Sequence, residues 1–135
     1  MTRYDELRRN RLATSDGLKL VAERRENFRR AFVTGLADYL GCPVDSIRAE
    51  FTEVREELDF LVRLDLGAEW APLILELSFP IGKVVVSDDE AGVHFRVWES
   101  ELERGLQPVF AHVVDRLAQW ARSNAVARAA DRGGN

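Results

Sequence analysis

The sequence predicts an α+β domain. The expected form is a two-layer sandwich with an N-terminal helix, a four-stranded antiparallel meander and a C-terminal helix kinked near Pro108, both helices on one sheet face. Three observations carry this expectation. Apolar residues recur at helical spacing over residues 18–40 and again over 102–120, with one stripe each. Between them, residues 58–97 alternate apolar and polar in short runs. The runs are joined by brief Gly-, Pro- and Asp-bearing connections, too short for parallel crossovers.

Residues 1–14 read as a flexible, arginine-rich lead, with at most one helical turn around Tyr4 and Leu7. Thr14-Ser15-Asp16 offers N-cap side chains, so the first helix is expected from there to Leu40, where Gly41-Cys42-Pro43 stops it. Leu18, Val21, Phe28, Phe32, Leu36, Tyr39 and Leu40 share its core face. Residues 44–57 fit either period, since Ile47, Phe51, Val54 and Leu58 have helical spacing while Phe51-Thr52 and Val54 suit a strand; a short helical turn running into a strand is expected. Leu58–Leu66 alternates clearly, followed by Leu73–Phe79, the turn Pro80-Ile81-Gly82, Val84–Ser87, the turn 88–92, and Val93, Phe95 and Val97. Ser100 and Glu103 form a capping-box pair that should open the last helix after Trp98. Its stripe runs from Leu102 through Leu106, Val109, Phe110, Val113, Leu117 and Trp120, and Pro108 with Gly105 should break it near 104–108. The domain proper is expected over 15–124, with a frayed tail at 125–135.

A chain of 135 residues with 46% hydrophobic and 31% charged side chains can bury a single core without a disulfide or a metal. One cysteine, Cys42, excludes an internal disulfide framework, and no apolar run approaches the ~18–20 residues of a spanning helix. No secretory leader is visible at the N-terminus, so a cytoplasmic protein is expected. Arginine outnumbers lysine 17 to 2, a usage typical of GC-rich bacterial genomes. The net charge of −4 argues against general affinity for nucleic acid or an anionic membrane. Acidity concentrates in the middle: residues 51–100 hold four basic and eleven acidic side chains, so a cationic partner would meet the protein there.

No motif for chemistry emerges, so no catalytic residue and no cofactor are assigned. Two histidines, His94 and His112, and one cysteine lack the spacing of a zinc site, and no Asp-x-Asp calcium loop is present. Asp88, Asp89 and Glu90 read as a solvated hairpin tip. Cys42 follows a helix C-terminus, where the dipole disfavours a thiolate. No phosphate-binding glycine loop is found. Arg8, Arg9, Arg11, Arg24, Arg25, Arg29 and Arg30 crowd the first thirty residues, but acids dilute them and no aromatic residues interleave for base stacking. Arg25 falls on the apolar stripe, where it either pairs with a carboxylate or recognises an anion.

Alternation gives the functional expectation. If Phe60, Val62, Leu75, Leu77, Val84, Val86, Phe95 and Val97 face the helices, then Leu61, Ile74, Val85 and Trp98 emerge on the open face from four different strands. Asp59, Arg63, Asp65, Glu76, Lys83, His94 and Arg96 share that face, giving an apolar centre among mixed charges. The expected function is a non-enzymatic interaction protein, an adaptor, chaperone or immunity-type protein, that uses Leu61, Ile74, Val85, Trp98, His94, Arg96, Arg63 and Glu76 toward a protein partner and a second copy in a homodimer. The alternative is a small anionic-ligand binder or enzyme with a cleft between sheet and helices, anchored by Arg25, His94 and Arg96.

Overall fold

The computed structural model describes residues 2–54 and 57–133, with side chains described at all of these except 7–16, 54 and 126–133. Its elements are helix α1 (Arg3–Leu40), strands β1 (Ile47–Val54), β2 (Glu57–Asp65), β3 (Trp70–Ser78), β4 (Lys83–Asp88) and β5 (Val93–Trp98), a short helix α2 (Leu102–Gly105) and helix α3 (Gln107–Gly133). Single 3-10 turns precede β1 and α2. Two compact units divide the chain, residues 1–30 and 31–135.

The first unit is the N-terminal stretch of α1. That helix begins at Arg3 instead of after Thr14, because Thr2 and Asp5 form a capping box well ahead of the Thr14-Ser15-Asp16 run. The Thr2 hydroxyl accepts from the Asp5 amide at 3.2 Å and donates to the Asp5 carboxylate at 2.9 Å. Arg8, Arg9 and Arg11 carry side chains outside the described residues. Leu18 and Val21, expected on the core face, are 67% and 41% exposed. The helix has 38 residues, ~57 Å at 1.5 Å per residue, and the longest strands have only 9, about 30 Å. Glu26 and Arg29 pair at 2.6 Å one turn apart, a helix-surface ion pair.

In the second unit, α1 ends as the sequence predicts. Gly41 takes φ 70°, and Cys42 N donates to Ala37 O at 3.0 Å while Gly41 N donates to Asp38 O at 3.3 Å, the paired bonds of a Schellman motif. The sheet has five strands in the order β1-β2-β3-β4-β5, all antiparallel, where four were expected. The added strand is β1: after the 3-10 turn at Val44–Ser46, Ile47 and Ala49 are buried between outward Arg48 and Glu50. Ala49 is too small to mark the alternation by hydropathy, which left the helical spacing of Ile47 and Phe51 competing with it.

One face of the sheet makes the core with the end of α1 and with α2 and α3. Phe60, Val62, Leu75, Val84, Val86 and Val97 are almost wholly buried opposite Phe32, Leu36, Leu106, Val109, Phe110 and Val113. Phe32 stands edge-on to Phe60 at 5.0 Å and to Phe110 at 5.5 Å. Gly35 admits this contact, since a Cβ there would lie 2.7 Å from the Phe110 ring.

The helical break falls at Leu106, with Pro108 in the first turn of α3, where a missing N–H costs nothing. The Ser100/Glu103 capping box does not form: a 3-10 turn occupies Glu99–Glu101, and Glu101, at the N-cap of α2, makes no side-chain cap bond. α3 continues to Gly133, past the 125 boundary the sequence suggests.

Candidate functional site

Registry fixes what the outer face carries. Leu61 pairs directly with Ile74, Val85 with Ser78 and Arg96, Trp98 with Lys83, and Asp59 with Glu76, which in turn pairs with Ser87. Ile74 and Trp98 are 59% and 57% exposed, while Leu61 and Val85 are half-buried. The four apolar residues therefore form two pairs, Leu61 with Ile74 and Val85 near Trp98, separated by the acidic row Asp59–Glu76. Arg63 lies between Arg48 and Pro72 at the other end of the face. Arg48 also stacks over the Trp70 ring at 4.4 Å.

His94 and Arg96 are exposed on this same outer face, and the His94 ring shares a 2.8 Å hydrogen bond with the Ser87 hydroxyl. They share parity with Trp98, so they point away from α3 and do not line a cleft between sheet and helices. The expected anion anchor of Arg25, His94 and Arg96 is corrected on that ground. Arg25 belongs to the first unit and is half-buried on α1.

The hairpin tip read as solvated is not uniform. Asp88, the last residue of β4, is 2% exposed; Asp89 and Glu90 are exposed. Parity puts Asp88 on the inner face after Val84 and Val86, where α3 supplies partners. Its Oδ2 accepts from His112 Nε2 at 2.7 Å and from Arg116 Nε at 2.9 Å, and Oδ1 accepts from the Ala91 amide at 3.4 Å. Arg116 Nη2 reaches on to Glu90 at 2.6 Å. Burial pushes the Asp88 carboxyl up, but the His112 and Ala91 hydrogen bonds and the Arg116 charge outweigh it and hold the group below its ordinary value. A buried carboxylate beside a histidine suggests catalysis, yet among the described residues His112 hydrogen-bonds Asp88 alone, with the Phe95 ring 5.5 Å from its own. Among the described residues no nucleophile hydrogen-bonds the His112 ring. The cluster ties the β4–β5 turn to α3. Helical spacing of His112 and Arg116, one turn apart, was the one sequence signal for it.

β4 pairs with β3 only from Glu76 to Ser78, because the strand ends at Asp88, one residue past the Glu76–Ser87 pair. The opening holds a groove of about 590 Å³ lined by Glu57, Asp59, Pro72, Leu73, Ile74, Glu76, Asp88, Asp89 and Glu90, with Arg116, Gln119, Trp120 and Ser123 from α3. Glu57, Asp59 and Glu76 bring carboxylate oxygens within 4.8 Å of one another, close enough to share a cation. Glu76 is pushed up to about 6, first by its hydrogen bond with Asp89, then by burial and by the charges of Asp89, Glu57 and Asp59. Comparison with protein-family models, curated proteins and solved structures finds no match to this chain.

Proposed function

We propose that this chain is a non-enzymatic protein-interaction module, an adaptor, chaperone or immunity-type protein, that docks a partner on the open face of its sheet. The observation that supports it is the pair Ile74 and Trp98, 59% and 57% exposed on the face opposite a fully packed core. Neither is needed to close the fold, and tryptophan in such a setting is a frequent anchor of protein contacts. The acidic row between the two apolar pairs ranks the occupants. A twofold dimer centred on this face would set Asp59 and Glu76 against their own copies, whereas a cationic partner would neutralise them.

Site-specific photo-crosslinking in the native host tests the reading. A photoreactive residue at Ile74 or Trp98 is expected to give one discrete adduct, and the same residue at exposed Asp115 on α3 none. An adduct of twice the chain's mass would identify a second copy as the occupant. Equal labelling from Asp115, or no adduct from either sheet position, refutes the proposal.

A further inference from the structure

Strand β3 is paired with β2 over Trp70–Glu76, yet on its other side β4 accompanies it only over Glu76–Ser78. The stretch Trp70–Leu75, ~20 Å at about 3.3 Å per residue, thus presents an internal strand edge with no strand paired on it among the described residues. The position of Pro72 shows which backbone groups are turned outward. Proline has no N–H to give β2, so Pro72 belongs on the open side of the ladder, and alternation puts the Ile74 N–H and C=O there as well. An open edge of this kind is a template for another strand unless side chains block it. Helix α3 packs against β3 on this side, and the groove runs between the helix and the strand edge, with the Arg116–Asp88 ion pair near one end and the Asn124–Glu69 hydrogen bond, at 2.9 Å, near the other.

The lining dictates what kind of strand fits. On the outer side stand Glu57, Asp59, Glu76 and Asp89; on the inner side Leu73 and Trp120. Arg116 is the one cation among the described lining residues, and its guanidinium is already engaged by Asp88 and Glu90 at 2.9 and 2.6 Å. No described arginine or lysine makes an ion pair with the four outer acids. An incoming strand alternates its side chains between the same two sides. Basic residues at every second position would meet the acids, and the apolar residues between them would meet Leu73 and Trp120.

We propose that the open edge of β3 and its acidic groove bind an extended segment of a partner protein, with alternating basic and apolar residues, that adds to the sheet as a strand in the place β4 leaves. The proposal rests on the docking-face reading above and names its occupant. Edge addition supplies affinity through main-chain bonds to Ile74 and specificity through the alternating side chains.

The probe is a synthetic eight-residue peptide of alternating lysine and valine, labelled for fluorescence anisotropy against the full chain. Saturable binding is expected, together with slowed hydrogen exchange at the Ile74 amide. Methylating the peptide's alternate amide nitrogens keeps every charge and removes the strand bonds, and should weaken binding at least tenfold. So should the combined substitution Glu57→Gln, Asp59→Asn, Glu76→Gln, which leaves the core untouched. No saturable binding, equal affinity of the methylated peptide, an unchanged Ile74 exchange rate, or indifference to the triple substitution would each overturn the proposal. Ile74 protection in the free chain that appears only at concentrations where it sediments as a dimer would give the edge to a second copy and overturn it too. Adducts from Trp98 without peptide binding would leave the docking face standing and remove only this occupant.

Discussion

Replacing Asp88 by Asn keeps its shape and removes its charge, which isolates what the buried carboxylate contributes. In the wild type it accepts from His112 at 2.7 Å, Arg116 at 2.9 Å and the Ala91 amide at 3.4 Å, from a site only 2% exposed. Hydrogen bonds to a charged group contribute ~1.5–3 kcal/mol each, and removing one partner from a buried pair costs about 3–5 kcal/mol. Here the loss is smaller, because Arg116 keeps Glu90 and its side chain is 22% exposed, and His112 is 16% exposed. The expected cost at pH 7 is ~2–4 kcal/mol, from a total stability of about 5–15 kcal/mol. Urea unfolding followed by tryptophan fluorescence should register it as a midpoint lowered by ~1–2 M. The pH dependence has a definite sign. The folded carboxyl titrates below its unfolded value of about 3.9, so its stabilisation is complete above that value and is lost as pH falls through the folded one. The gap between wild type and Asp88→Asn should therefore close on acidification. A gap below ~0.5 kcal/mol at pH 7, or one that stays constant to pH 3, would refute the account of Asp88 as the tie between the β4–β5 turn and α3.

Two further substitutions test packing and charge. Gly35→Ala would place a methyl 2.7 Å from the Phe110 ring, which is fully buried and held by Phe32; the overpacking cost of ~1–3 kcal/mol should exceed the helix-propensity gain of about 1 kcal/mol, so a variant with raised thermal midpoint would contradict the close α1–α3 contact. Glu76→Gln acts in the opposite direction: the folded carboxyl titrates near 6, above the ordinary 4.5, so ionising it costs stability that the amide does not lose. Midpoints measured from pH 4 to pH 8 should coincide at the acid end and favour the variant increasingly from pH 4.5 to above 6, and equal midpoints throughout would dismiss the crowding of Glu76 with Asp89, Glu57 and Asp59.

Local chemistry made much of the architecture legible in the sequence. Alternation over Leu58–Val97 specified β2 through β5 and which side chains each strand buries, because a period of two leaves no other way to hide Phe60, Val62, Leu75, Val84 and Val97 together. The end of α1 at Gly41 and the interruption near Pro108 followed from backbone geometry alone. Where the signal is weak, two patterns compete: β1 hides its alternation in Ala49, and the cap pair Thr2 and Asp5 competes with the Thr14-Ser15-Asp16 run. Other features depend on distances that no spacing along the chain encodes. Asp88 meets His112 and Arg116 across 24 and 28 residues of sequence, and only the docking of α3 against the end of β4 turns an apparent hairpin-tip acid into a buried one. The acidic row and the open edge of β3 arise in the same way. Side-chain parity is local, but the register that sets Glu76 against Asp59, and the point along β3 at which β4 stops accompanying it, are decided by which pairings let the inner face close its core.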